Sequence, residues 1–142
     1  MIRGESVYLT PLDPANAVTA RGWINDPEIN RYLLTGQVPV TIEGQQAYYR
    51  KAEEDWQAGK GYRFEILVAD DGRYIGNCGL EHVDSRHRSG EIGILIGVLA
   101  EQNKGYGGDT VMTLTRFGFE TLGLNRIEIR SQADNERSMH LY

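Results

Sequence analysis

Five segments of the chain carry the apolar, β-branched or alternating pattern that is typical of β-strands. The clearest is an isoleucine-rich run that begins after Glu91 and ends near Gly97. Two other runs flank Asp71-Gly72, a pair typical of a two-residue hairpin turn whose residues need positive φ. The five predicted strands span residues 7–9, 62–69, 74–83, 91–97 and 126–130.

Four segments are predicted to be helices. Asp13-Pro14 and Asp26-Pro27 each place an N-cap residue before a proline at the first helical position. Thr41 caps a third and longer helix, which glycines then terminate. A fourth helix follows a glycine-rich turn, because its apolar residues recur at helical spacing. The predicted helices span residues 14–25, 27–34, 42–58 and 106–122.

The order of these elements predicts an α+β domain. One strand is followed by three helices, three strands, one helix and one strand, and a last helix is expected after residue 130. Consecutive strands favour an antiparallel sheet, and only the late β-α-β unit would give a parallel pair, by a right-handed crossover. Because no repeat or linker interrupts residues 1–142, we expect a single domain.

Composition narrows the functional classes. The net charge of −5 argues against nucleic acid as the ligand. No apolar run approaches the length of a membrane span, about 20 residues, and no apolar signal-peptide segment is seen at the start of the sequence. We therefore expect a cytoplasmic protein that does not bind a membrane. The single cysteine, Cys78, rules out an intramolecular disulfide and is expected to be a buried strand residue. Histidine and cysteine spacing gives no reason to expect a metal site.

The turn between the isoleucine-rich strand and the fourth helix has the character of an anion-binding site. The first N–H groups of a helix have no partner within it, and the helix dipole favours negative charge there. Glycines let the backbone approach an anion closely. The turn fits neither the dinucleotide fingerprint nor the mononucleotide P-loop, because no Lys-Ser/Thr pair follows its glycines. Its residues are Gln102, Asn103, Lys104, Gly105, Tyr106, Gly107 and Gly108.

The pattern Gln102-x-x-Gly105-x-Gly107 resembles the pyrophosphate loop of the GNAT superfamily of acetyl-CoA-dependent N-acetyltransferases. A second segment, from Asn135 through Ser138 to Tyr142, resembles a later signature of that family. The resemblance implies the GNAT fold, in which the strand ending at Gly97 and the strand beginning at Arg126 splay apart. It also implies acetyl-CoA as co-substrate, with the loop holding its diphosphate, Asn135 and Ser138 near the pantetheine arm, and the arm pairing with the strand edge at Ile94, Leu95 and Ile96.

Acetyl transfer to an amine requires a base, because an amine is mostly an ammonium ion near neutral pH. Glu91 is the first choice, Glu128 on the neighbouring strand is the second, and a water molecule is a further alternative. A backbone N–H near Leu95 would stabilise the oxyanion. The resemblance implies Tyr142 as the acid that protonates the leaving thiolate. Its position as the last residue predicts a weak acid, and hence a chain that binds coenzyme A better than it turns it over.

Three functions are consistent with the sequence. The first is an N-acetyltransferase for a primary amine on a protein N-terminus, a polyamine or a small molecule. The second is a non-catalytic acyl-CoA-binding or regulatory module, and the third is an unrelated phosphate-binding domain.

The nearest branch by resemblance holds ribosomal-protein and polyamine acetyltransferases, in which homodimers are common. Family members continue past the tyrosine, so we expect a C-terminally incomplete domain that lacks the last strands, unless a second chain supplies them.

Overall fold

The computed structural model describes residues 1–30 and 38–129, and within them it shows one six-stranded mixed sheet. The strands lie in the order of the chain, each beside the next. The four neighbouring pairs from β1 to β5 are antiparallel, whereas β6 is parallel to β5. The strands are β1 (Ile2–Arg3), β2 (Val7–Pro11), β3 (Tyr62–Val68), β4 (Tyr74–Asp84), β5 (Ser89–Ile96) and β6 (Arg126–Ile129).

Helices precede β3 and connect β5 to β6. The α-helices are α1 (Ala17–Ile24), α2 (Pro27–Asn30), α3 (Ile42–Ala58) and α4 (Tyr106–Arg116). Short 3₁₀ turns lie at Pro14–Asn16 and Leu99–Glu101, and α4 continues into a π-helical turn at Phe117–Thr121. None of the described helices combines the length and the apolar character that crossing a membrane requires.

The predicted helix caps are confirmed. The Asp13 carboxylate accepts the Ala15 N–H at 2.9 Å, and the Thr41 hydroxyl accepts the Gly44 N–H at 2.9 Å. Gly59 ends α3 in the left-handed conformation with φ of 71°, as glycine at a helix C-terminus commonly does. The α+β class and the mostly antiparallel sheet are therefore as predicted, down to the single parallel pair among the described strands.

One strand was missed, and one prediction about a turn was wrong. The two-residue pairing of β1 is too short to carry a hydrophobic pattern and was not predicted. The β3–β4 connection is longer than a two-residue turn, because the closing pair is Val68 and Arg73, joined at 2.9 Å. Gly72 has φ of 74°, but Asp71 is not among the described residues with positive φ. Instead the Asp71 carboxylate accepts the Arg73 N–H at 3.1 Å, which stabilises an ordinary turn.

The main core lies between one face of the sheet and α4. Its large, fully buried side chains include Leu9, Ile66, Leu80, Ile92 and Leu114. Because strand side chains alternate, residues next to these project from the other face. Burial of such apolar side chains stabilises each by about 1.5–3 kcal/mol relative to exposure, so this face fixes β4, β5 and α4 as one unit.

Cys78 is buried in β4, as predicted. Burial raises the pKa of its thiol well above the usual range. A thiolate nucleophile is therefore not available at this position.

The predicted end of the second helix, residue 130 and the helix expected after it lie outside the described residues. Within the described range, the pairing of β5 with β6 runs from Ser89↔Arg126 to Ile92↔Ile129. β5 continues beyond this point, to Ile96, paired on its other side with β4.

Candidate functional site

The glycine-rich turn lies where β5 passes into α4. Asn103 and Gly105 both adopt left-handed backbone conformations, with φ of 64° and 85°. Gly105 is the N-cap of α4, and a Cβ placed on it would meet no heavy atom within 4 Å. The N-terminus of α4 therefore opens onto free space, where an anion could approach the first N–H groups of the helix.

A buried carboxylate, which sequence reasoning missed, lies next to this turn and connects it to other parts of the sheet. Glu101 is only 5% exposed, and its Oε1 accepts a charged hydrogen bond from Arg73 of the β3–β4 connection. Lys104 Nζ lies 3.6 Å from the other carboxylate oxygen. The adjacent Gln102 side chain donates to the Ile96 carbonyl at 3.1 Å. The turn is thus tied both to the end of β5 and to the β3–β4 hairpin.

The first turn of α4 is anchored to the other edge of the sheet. The Asp109 carboxylate accepts backbone N–H groups of Glu5, Ser6 and Val7 at 3.1, 2.8 and 3.0 Å. Partial burial opposes ionisation of this carboxyl, but the three N–H groups outweigh it and hold the pKa of Asp109 below its usual value. The charge also suits the N-terminal turn of a helix.

A tryptophan, also missed by sequence reasoning, covers the downstream end of β5. A Cβ at Gly97 would lie 2.0 Å from the Trp23 ring, so the ring rests directly on the glycine backbone. Trp23 also packs against Tyr74, with ring centroids 4.7 Å apart. α1 is therefore fixed beside the same strand end that leads into the glycine-rich turn.

Ile94, Leu95 and Ile96 are half-buried and lie on the part of β5 that extends beyond its described pairing with β6. Their partners in β4 are Cys78, Asn77 and Gly76. An extended ligand could pair with this segment in the manner of an added strand.

Three glutamates form a row across β4, β5 and β6. Glu81 is opposite Glu91, and Glu91 is opposite Glu128, so their side chains share one face of the sheet. Both predicted bases therefore lie side by side. Arg63 Nε lies 3.2 Å from Glu81, and Arg126 contacts Glu128.

The central glutamate of the row has a histidine among its contacts. His82 Nδ1 lies 3.0 Å from Glu91 Oε2. An imidazole can be neutral near pH 7, whereas a guanidinium keeps its charge. Together with Glu128, Arg126 and Ser89, these two residues line one shallow cavity.

The glycine-rich turn and the glutamates lie at opposite ends of β5. Glu91 and Ile96 are separated by five residues of extended chain, a span of about 17 Å. A ligand that contacts both ends must therefore be long. A free phosphate or the phosphate groups of a mononucleotide would be too short.

Three predicted site residues, Asn135, Ser138 and Tyr142, lie outside the described residues. Within residues 1–30 and 38–129, no group of three or more side chains of the metal-binding kinds is placed to hold a metal ion.

Comparison with known proteins shows the family of the chain. The model of the acetyltransferase (GNAT) domain matches residues 6–142. The uncharacterized N-acetyltransferase p20 of Bacillus licheniformis is 31% identical over 138 residues, which is 96% of this chain and 76% of that protein. Human alpha/beta-tubulin-N-acetyltransferase 9 is 26% identical over 157 residues, which covers 100% of this chain and 72% of that protein.

Solved structures share the fold at low sequence identity. Spermidine N-acetyltransferase from Vibrio cholerae, in complex with CoA and spermine, superposes with a TM-score of 0.83 at 22% identity, covering 96% of this chain and 78% of that one. The ribosomal L7/L12 acetyltransferase RimL, in complex with coenzyme A, gives 0.86 at 14% identity, covering 99% and 79%. With a matching family model over nearly its whole length, the chain belongs to the GNAT family of N-acetyltransferases.

Proposed function

We propose that this N-acetyltransferase carries the acetyl group of acetyl-CoA directly to a primary amine, with both substrates bound at once. The observation that supports this most is the arrangement along β5. An open helix N-terminus lies at one end of the strand and a row of carboxylates lies at the other. Between them lie half-buried residues of β5 that extend beyond its described pairing with β6.

Residues 102–108 would hold the diphosphate of the cofactor. The left-handed conformations at Asn103 and Gly105 lead the backbone into α4, whose first N–H groups have no partner within the helix and favour an anion. The chemistry of this donor set fits an anion, and the free space at Gly105 leaves room for it. Two of the structurally similar proteins were solved with coenzyme A bound.

The pantetheine arm would run along Ile94, Leu95 and Ile96 towards Glu91. Backbone groups of this β5 segment can form strand-like hydrogen bonds with its amides. An N–H near Leu95 would donate to the oxyanion as the thioester carbonyl becomes tetrahedral. Asn135 and Ser138 are assigned to the same arm by family resemblance alone.

Glu91 would take the proton from the acceptor ammonium. Among the two predicted bases, Glu128 is engaged by the permanently charged Arg126, and a second cation there would compete with that ion pair. Glu91 Oε2 lies 3.0 Å from His82 Nδ1, and Glu91 lines the shallow cavity, where an acceptor ammonium could reach it. Tyr142 would return a proton to the leaving thiolate, as the family resemblance implies.

An acetyl-transfer screen tests this proposal. The protein is supplied with acetyl-CoA and, in turn, an N-terminal peptide, a polyamine, an aminoglycoside and an amino acid, and the release of free thiol is followed. We expect amine-dependent release with at least one class. Thermal stabilisation by coenzyme A without thiol release would instead favour the non-catalytic acyl-CoA-binding module. No response to coenzyme A at all would contradict both.

A further inference from the structure

His82 occupies a conformation that a histidine in a regular strand would not adopt. The pairing of β4 with β5 shifts register between Glu81 and Asp84, which marks a β-bulge. Within this bulge His82 has φ of 49°, in the left-handed region. Such a conformation costs a non-glycine residue on the order of 1–3 kcal/mol, and strained residues of this kind occur often at functional sites.

The bulge changes what the imidazole can reach. In a regular strand, His82 would project from the face opposite to its neighbour Glu81 and hence away from Glu91. Here its Nδ1 instead lies 3.0 Å from Glu91 Oε2, although the ring remains about three-quarters exposed, at 73%. The contact joins the β4 bulge to the residue that we propose as the base.

Two other glutamates lie beside Glu91 on the same face of the sheet. Glu81 faces it from β4 and Glu128 faces it from β6, and like charges directly opposite one another repel. Arg63 and Arg126 contact these two flanking glutamates. A hydrogen-bond donor at Oε2 of the middle glutamate favours one orientation of its carboxylate.

We propose that His82 is a positioning residue for Glu91: its Nδ1–H donates to Oε2 and holds the carboxylate in the orientation that accepts the acceptor's proton. This inference rests on the proposed function. His82 does not itself contact the reacting atoms, so its removal should lower kcat and leave the KM for acetyl-CoA unchanged.

Two substitutions separate the hydrogen bond from the backbone conformation. His82→Gly suits positive φ and removes the donor. His82→Asn also tolerates the left-handed region and places an amide N–H₂ close to where Nδ1 lies. We expect His82→Gly to lower kcat by about tenfold or more, the effect of losing a hydrogen bond to a charged group, and His82→Asn to retain most of the rate.

His87 provides a matched control. It is exposed to the same degree, at 74%, and its Nδ1 lies 2.8 Å from Asp84 Oδ2, but this contact is local to the β4–β5 loop. His87→Ala should therefore leave kcat unchanged. Circular dichroism and thermal unfolding of all variants would show whether each one is folded.

A double-mutant cycle on the full chain, with the amine identified in the screen, is decisive. In a Glu91→Gln background, we expect His82→Gly to lower kcat no further, because the group it positions is already absent. An equal loss in both backgrounds would overturn the proposal, as would a His82→Gly variant at full rate or a His82→Asn variant as slow as His82→Gly. If the wild type transfers no acetyl group to any amine, the proposed function itself fails, and the role of His82 with it.

Discussion

The two ends of β5 are built in different ways. At the upstream end, β5 is paired on both sides, and Glu91 lies between Glu81 and Glu128 in a row of charged side chains. At the downstream end, the polypeptide leaves the sheet through residues in left-handed conformations, and the groups that we propose to bind the cofactor are backbone N–H groups near Gly105. Side chains can be removed one at a time, but backbone groups cannot. We propose that the upstream side chains act in the transfer and that the downstream backbone binds the cofactor. Substitutions of the upstream side chains should therefore change the rate of transfer, and substitutions at the glycine-rich turn should change the affinity for the cofactor.

The largest effect is expected at Glu91. Glu91→Gln removes the proposed base without changing its size, and loss of general-base catalysis typically costs about 10²-fold or more in rate. Steady-state kinetics with the identified amine should show this loss in kcat, while calorimetric titration gives an unchanged Kd for coenzyme A.

Glu128→Gln is the matched control, since this side chain lies directly across from Glu91 on the same face. We expect a much smaller loss. If the two variants lose rate in the opposite order, Glu128 is the base and the assignment of Glu91 is wrong.

The downstream end is expected to be sensitive to packing. In Gly97→Ala, the new Cβ would overlap the Trp23 ring, at 2.0 Å, and relief of such overpacking typically costs about 1–3 kcal/mol. Urea unfolding should therefore show a lower free energy of unfolding. Gly22→Ala, in α1 beside the same tryptophan, meets nothing within 4 Å and should raise it instead. A Gly97→Ala variant as stable as wild type would show that Trp23 does not rest on β5.

The positions of β5, of α4 and of the turn between them could be predicted from the sequence. Periodicity located β5 and α4, because both bury one face against the same core. The glycines marked the turn between them, since only glycine adopts positive φ without cost.

The contacts that hold the candidate site in place could not be predicted, because they join segments that are distant in the sequence. The bulge at His82 follows from how β4 pairs with β5, and the contact of Arg73 with Glu101 joins residues 28 positions apart. The β3–β4 turn was misjudged for the same reason, since strand pairing rather than the Asp-Gly pair decides its length. For Asn135, Ser138 and Tyr142, the family resemblance stays a prediction.

The anion-binding turn can be tested with two matched glycines. Gly105 and Gly123 both have positive φ, of 85° and 70°, and both face free space. An alanine at either position should cost a similar amount of stability, about 1–2 kcal/mol. Only Gly105→Ala should also weaken coenzyme A binding, by about tenfold, or about 1.4 kcal/mol, because its Cβ occupies the space proposed for the diphosphate. Equal Kd values for the two variants in calorimetry would count against this site.

The smallest effect concerns Asp109, which anchors the first turn of α4. Its folded-state pKa lies below the unfolded value, so the carboxylate stabilises the fold above the unfolded pKa and this contribution is lost as the pH falls through the folded pKa. Asp109→Asn should therefore be about 1 kcal/mol less stable than wild type at pH 7, and the gap should narrow as the pH approaches 3. Urea unfolding at several pH values measures it, and a gap independent of pH would contradict the role of the charge.

An amide NMR titration of the protein with coenzyme A tests most directly whether the backbone at the start of α4 binds the cofactor's diphosphate. We expect the largest chemical-shift changes at the N–H groups of Gly105, Tyr106 and Gly107, with smaller changes along Ile94 to Ile96. Saturable binding that leaves those three amide signals in place and shifts others would contradict the proposed site.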